Sequence, residues 1–316
     1  MIDIYAEIRK RYGNVRRARR YYLYTEKNVR LLDLWLDGGK ALLGRRAGQA
    51  NLVCKQFLDR GLTGWLPTNA ENRLQRALEA AVPGYPVIRW YATEEKAAGI
   101  VRSALHIAQN DAEHPLPIWR PFLAEGEAVT DERAAHITAD GYAQRGGVML
   151  IPPAYPLPCG IIAAESRFAD VLPPSDTLFP PLAACLARAF FDLQKKIAAF
   201  QADAAECAVA TPLCGEKEPS AELHQRVISE QRIGSKQRRE ALKRRAEAER
   251  LISQVWNQNG WYLFPHVSQA EYENLFMHAL DAHVLISPDY AQPSILPDCE
   301  NYAELIKWLK MRRSYQ

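Results

Sequence analysis

No stretch of the sequence reaches the ~18 consecutive apolar residues of a membrane helix, so no membrane association is expected. The opening MIDIYAEIRKRYGN lacks the apolar centre of a secretion signal, which predicts a cytoplasmic protein. The six cysteines (Cys54, Cys159, Cys185, Cys207, Cys214 and Cys299) form no C-x-x-C pair. That argues against a zinc ribbon, a redox pair or a disulfide scaffold. Neither charge dominates: 40 basic residues face 37 acidic ones, for a net charge of +3. A dedicated nucleic-acid binder would carry a larger or more concentrated basic excess, so nucleic acid is not expected as a partner. Also absent are G-x-G-x-x-G, G-x-x-x-x-G-K-[ST], H-E-x-x-H and G-x-S-x-G. The seven histidines do not converge; His278 and His283, five apart, do not share a helical face, and no metal site is predicted.

What is present is an ordinary globular composition. Of 316 residues, 48% are hydrophobic and 24% charged, enough apolar side chain for roughly two domains. The alternation in YYLYTEKNVRLLDL predicts two short strands joined at Glu26-Lys27-Asn28, with Gly38-Gly39 ending the second. Helical spacing follows from Gln49 to Leu58, and from a Thr68 or Asn69 cap through Ala80. Val87 to Tyr91 predicts a buried strand, with Thr93 capping a helix from Glu94 to about Ala108. Further elements are a helix around Asp131 to Arg145, a strand at Val148–Ile151, a proline-rich stretch from Pro152 to Pro158 followed by the apolar run Cys159–Ala164, and a long helix from about Pro181 to Ala205. Ala221 to Trp256 predicts a polar, basic helix. The C-terminal part predicts a strand at Trp261–Pro265, a helix at Gln269–His278, a strand at Val284–Ile286 and a final helix at Tyr302–Met311. Strands and helices mixed throughout predict an α/β or α+β protein.

The chemistry-bearing residues have plain readings beside the functional ones. A strand feeding a Thr-capped helix at Tyr91-Ala92-Thr93 points free N–H groups where an anion could sit, or is only a helix cap. Asp37-Gly38-Gly39-Lys40 lacks the spacing of a phosphate loop and is better read as a turn. The basic clusters around Arg16 and Arg244 could touch phosphates, but glutamates dilute the second, and a solvated face is the simpler account.

Several strings resemble one family. YYLYTEKNVRLLDLWLDGGKALLGRR, LDRGLTGWLP, ENRLQRALEAAVPG, RWYATEEKAAGIVRSALHIA, LPCGIIAAESRFADVLPPSDTLFPPLAACLARAFFDL and GWYLFPHVSQAEYENLFMHALDAHVLISPDY are together similar to class-III aminotransferases of the glutamate-1-semialdehyde aminomutase kind. The resemblance implies an α/β fold of the fold-type I aminotransferase class. It implies a truncated large domain with a mostly parallel sheet, plus a smaller α+β domain. It divides the chain into 1–75 (N-terminal hairpin and helices), 76–205 (shortened large domain), 206–256 (a charged helical insert) and 257–316 (the rest of the small domain). It also implies a homodimer, or pairing with an active homologue.

The family uses pyridoxal phosphate, held by a lysine and by an acidic residue at the pyridine nitrogen. By this resemblance the lysine position falls near Ile151 or Pro152 and the acidic position at Pro152 or Pro153. No lysine occurs between Lys96 and Lys195. The resemblance makes Ala92, Thr93 and Thr177 the candidate cofactor-phosphate residues. Ala92 stands in place of a glycine, Glu95 in place of an alanine, and Arg45 in place of a histidine. The expectation is therefore an aminotransferase-like protein that has lost transamination, with no catalytic residue and no cofactor unless the fold retains some pyridoxal phosphate binding. Two alternatives stand beside it. One is an active enzyme using a displaced lysine (Lys40, Lys96 or Lys195); the other is a nucleic-acid-associated protein using the basic clusters. Ligand, substrate, partner identity, oligomeric state and the role of 221–256 are not legible from the sequence.

Overall fold

The structure is a computed structural model, and residues 2–45, 48–64, 66–108, 116–123, 147–209, 247–296 and 302–313 are described. The sequence-predicted helix at 131–145, most of that at 221–256, Arg244, Cys214 and Cys299 lie outside them.

The N-terminal part is helix α1 (Ile4–Tyr12), then strands β1 (Val15–Arg19), β2 (Tyr22–Thr25) and β3 (Arg30–Asp33). Asp3 caps α1 by accepting from the Tyr5 and Ala6 N–H groups. The β2–β3 hairpin turns through Asn28 at φ 58°, the left-handed conformation that asparagine tolerates. Strand β1 escapes a reading by hydrophobicity because VRRAR is mostly exposed; its pairing to β2 is what makes it a strand. Next come the short helical turn α2 (Leu36–Gly39), then α3 (Gly48–Asp59) and α4 (Ala70–Ala81).

A β-α unit comes next in the chain: β4 (Val87–Tyr91), α5 (Glu94–Ala104), β5 (Val148–Ile151), β6 (Gly160–Ala164) and the long helix α6 (Pro180–Val209). The three strands form one sheet in the order β4-β6-β5. Side chains alternate across it, as the period of two requires. Ile88, Trp90, Met149, Ile151, Ile161 and Ala163 face a core shared with Leu74 and Leu78 of α4 and Phe190 of α6. Val87, Tyr91, Val148, Ile162 and Ala164 face Ala97 and Val101 of α5. Helices thus cover both faces, and the α/β class follows.

A mostly parallel sheet is not what the described strands form. Strands β4–β6 and β5–β6 pair antiparallel; parallel pairing occurs between β3 and β9 and at one bridge, Ile118 to Leu150. Burial on both faces produces continuous apolar runs whatever the strand direction. The segment from β5 to β6, residues 152–159, is shorter than the dozen or more residues of a parallel crossover.

The C-terminal part contains β7 (Trp256–Asn259), β8 (Tyr262–Pro265), α7 (Gln269–Asp281), β9 (Val284–Leu285), β10 (Ser294–Ile295) and α8 (Ala303–Arg313). Trp256, predicted to end a basic helix, instead opens a strand. It pairs with Pro265 around Gly260 at φ 57°, and its ring is buried against Trp308. Ser268 and Glu271 form a capping box at the start of α7. Strand β9 joins β3 in the sheet β1-β2-β3-β9, so one core unites Ile4, Leu31 and Leu32 with Phe276, Tyr302 and Trp308.

Candidate functional site

The site expected from the sequence is built where β4 runs into α5. Thr93 has extended backbone angles, and its hydroxyl accepts from the Lys96 N–H at 3.2 Å, so the predicted cap is present. The segment 173–178 lies along the end of β4. Tyr91 donates to the Pro173 carbonyl at 2.7 Å, Trp90 N–H to Ser175 Oγ at 3.3 Å, and Asp176 N–H to the Trp90 carbonyl at 2.9 Å. This run brings a carboxylate to the helix start. Asp176 accepts the Ala92 N–H at 2.9 Å through one oxygen and the Lys96 ammonium at 2.6 Å through the other. Both interactions, the Lys96 bond foremost, hold the Asp176 carboxyl below the usual range. Glu95 is held low as well, first by its own backbone N–H and then by the Thr93 hydroxyl.

A second cation reaches the same place from the N-terminal part. The Lys40 ammonium lies 2.7 Å from Glu94 Oε1 and 3.5 Å from Asp37 Oδ2. Burial pulls the Lys40 pKa down, but Glu94 and Asp37 outweigh it and the net shift is upward. Glycine is required at the strand that backs this corner: a Cβ on Gly160 would lie 2.6 Å from the Thr93 carbonyl oxygen. Four carboxylates (Asp37, Glu94, Glu95 and Asp176) therefore surround the start of α5, against the ammonium groups of Lys40 and Lys96.

Of the three sequence-predicted residues, Ala92 and Thr93 adjoin in this corner. Thr177 follows Asp176 but is exposed and makes no hydrogen bond among the described residues. Of the three lysines considered, Lys40 and Lys96 are ion-paired at this corner, and Lys195 is exposed on α6. Its neighbour Lys196 is the one turned inward, 4.8 Å above the Trp261 ring and 3.2 Å from the Tyr21 hydroxyl. At the position the resemblance assigns to the lysine, Ile151 is a core residue paired to Ile161, and Pro152 is half-buried, at a distance where a Cβ on Gly39 would just reach it. Arg16 is exposed on β1. Among the described residues no group of three or more His, Cys, Asp or Glu could hold a metal ion.

Cys159 lies just before Gly160, and Cys185 lies on α6. Burial pushes both thiols up to about 12, with Glu94 adding to the shift at Cys159 and Cys54 to that at Cys185. The thiolate is the reacting form, and an ordinary thiol is partly ionised at about pH 8. Native labelling with a thiol reagent at that pH is expected to spare Cys159 and Cys185 and to modify half-buried Cys54 before either of them. Peptide mass spectrometry before and after unfolding checks this. Modification of Cys159 in the folded protein would contradict the burial that surrounds this corner.

Comparison with known proteins places this geometry. No family model matches the sequence. An uncharacterized protein of Treponema pallidum (strain Nichols) is 39% identical over 307 residues, covering 95% of this chain and 94% of its own. The chain belongs to that protein's family. A 59-residue stretch, 19% of the chain, is also 41% identical to an uncharacterized protein of Borreliella burgdorferi that it covers to 22%. Among solved structures, the fold matches an ornithine aminotransferase from Toxoplasma gondii ME49 with TM-score 0.56 and 11% identity, covering 99% of this chain and 96% of that one. An omega-transaminase from Sphaerobacter thermophilus matches with TM-score 0.53 and 13% identity, covering 98% and 97%. A transaminase with PLP bound matches with TM-score 0.56 and 12% identity, covering 98% and 97%. The family therefore has an aminotransferase fold, and at these identities the likeness concerns the fold alone.

Proposed function

We propose that this family keeps the aminotransferase fold without pyridoxal-phosphate-dependent transamination, and that the chain acts as a binding or structural member of that fold. One observation carries the proposal: the protein's own carboxylates hold the anion-accepting donors at the start of α5. Asp176 takes the Ala92 N–H and the Lys96 ammonium, and the neighbouring Glu95 carboxyl is held low by its own backbone N–H and the Thr93 hydroxyl, which keeps a second negative charge beside them. A cofactor phosphate placed there would find these donors engaged and would meet like charge instead. The residues present do not fit the group. The buried aliphatic Ile151 and the half-buried Pro152, standing where the resemblance puts a lysine, point the same way. Lys40 and Lys96 do not substitute for it. Each ammonium is engaged by a carboxylate, and at Lys40 the Glu94 and Asp37 carboxylates favour the protonated form, whereas condensation with an aldehyde needs the neutral amine. The proposal includes a cytoplasmic homodimer, or pairing with a catalytically active homologue, built on the chain divisions 1–75, 76–205, 206–256 and 257–316.

Incubation of the full chain with pyridoxal phosphate is expected to give no imine absorbance and, after borohydride, no lysine-linked adduct by mass spectrometry. A single reduced adduct at Lys40, Lys96 or Lys195 would replace this proposal with an active enzyme that uses a displaced lysine.

A further inference from the structure

A cleft of about 340 Å³ opens between α1 and the N-terminal sheet. Its size is within the range of small-molecule sites, roughly 300–1,000 Å³. None of residues 92–96 lines it, so a ligand held there would be independent of the loss of transamination. The walls are apolar: Ile8, Val15, Leu23, Trp35 and Leu285. The polar groups at its surface have an uneven balance of donors and acceptors.

Arg45 is fixed by a buried partner. Its Nε and one Nη2 hydrogen donate to Asp33 Oδ2 at 3.0 and 2.8 Å, and Asp33 is fully buried. The other Asp33 oxygen accepts the Trp35 and Leu36 N–H groups at 3.1 and 2.8 Å, so that carboxylate is saturated. Arg45 Nη1 makes no hydrogen bond among the described residues, and the side chain, 18% exposed, lines the cleft. Arg9, also lining it, has neither an ion pair nor a hydrogen bond through its side chain among the described residues. The other carboxylates nearby have donors of their own. Asp37 takes the Tyr5 hydroxyl and Lys40, while Glu26 takes the Asn14 backbone and side-chain N–H groups. Two guanidinium groups thus present unused N–H, and no carboxylate among these lacks a donor.

We infer that this cleft binds a small organic carboxylate with an apolar body. Arg45 Nη1, already oriented by Asp33, would take a carboxylate oxygen at little ordering cost, and Arg9 supplies the uncompensated positive charge. The Arg45 charge is already balanced by Asp33, and Arg9 is the lining cation with no carboxylate partner among the described residues, which suits a monoanion better than a phosphate dianion. The apolar walls take the remainder of the molecule.

The test uses the full chain with 3-phenylpropanoate and its neutral isostere 3-phenylpropanamide, followed by calorimetry and by the Trp35 indole N–H resonance, assigned with Trp35→Phe. The acid is expected to give a saturable shift at Trp35, with the amide binding about tenfold more weakly or worse. Arg9→Gln, at an exposed position, and Arg45→Lys, which keeps a cation for Asp33 but lacks the fork, are each expected to weaken the acid about tenfold. Ala18→Phe is expected to fill the cleft and abolish the shift. Equal binding of acid and amide, no saturable shift at Trp35 up to about 10 mM acid, or unchanged affinity in Arg9→Gln would overturn the inference. If Arg45→Lys does not fold, the acid–amide pair and Arg9→Gln still decide it.

Discussion

Replacing Asp176 and Glu95 together by alanine is expected to create an anion site where the native chain has none. Asp176 occupies the Ala92 N–H and the Lys96 ammonium, and Glu95 occupies its own N–H and the Thr93 hydroxyl. Without the two carboxylates, those donors converge at the positive end of the α5 dipole beside an unpaired lysine. Inorganic phosphate, followed by calorimetry and ³¹P line broadening, should bind the double variant at least about tenfold more tightly than the native chain. The gain should vanish when Lys96→Ala is added. Native protein binding phosphate as well as the variant would show that these carboxylates do not guard the helix start. Acidification acts in the same sense. Both carboxyls sit below their ordinary pKa, so their contribution is present above the unfolded-state value and is lost as pH falls through the folded one. Glu95 is exposed and Asp176 is only half-buried, so the effect on global stability should be small.

The largest loss of stability is expected at Arg45. Its removal leaves Asp33, fully buried, with no cation. Breaking one side of a buried ion pair costs about 3–5 kcal/mol. Arg45→Ala should therefore lower the urea midpoint sharply, read by tryptophan fluorescence and circular dichroism. Replacing both partners by apolar residues, Asp33→Leu with Arg45→Met, should recover only part of the loss. The Trp35 and Leu36 N–H groups depend on Asp33 Oδ1, and an orphaned buried N–H costs about 1–3 kcal/mol. A cost below about 1 kcal/mol for Arg45→Ala would mean that the pair is solvated rather than buried.

Local signals carried much of this architecture. Asn28 marks a hairpin because few residues accept its backbone angles, and Thr93 marks a helix start because its hydroxyl completes the cap. The two-sided apolar strands at 87–91 and 160–164 announce helices on both faces. Strand direction was hidden, since a strand covered on both sides reads alike in parallel and antiparallel sheets. Of the candidate corner, Ala92 and Thr93 were legible because they sit in one continuous strand-to-helix run. Asp176 was not, although it lies next to the noted Thr177. Its partner is 84 residues away, and nothing periodic links an aspartate after a proline-rich segment to a helix start. The Asp33–Arg45 pair was hidden for a related reason: the partners lie twelve positions apart across a turn and loop, a spacing that no helix or strand repeat selects. The Asn259-Gly260 turn signal was present but was masked by the charged run before it.

The parallel match of Leu32 and Asp33 with Val284 and Leu285 has a consequence for how the chain reaches its native state. The hairpin at 22–33 forms from near neighbours, yet its inner edge stays open until a strand from the far end of the chain arrives. During ribosomal synthesis, Leu31, Leu32 and Leu34 would wait until Val284 and Leu285 have emerged before their cover is complete. Such a topology favours late closure of this sheet and leaves an unpaired, apolar strand edge in the nascent intermediate.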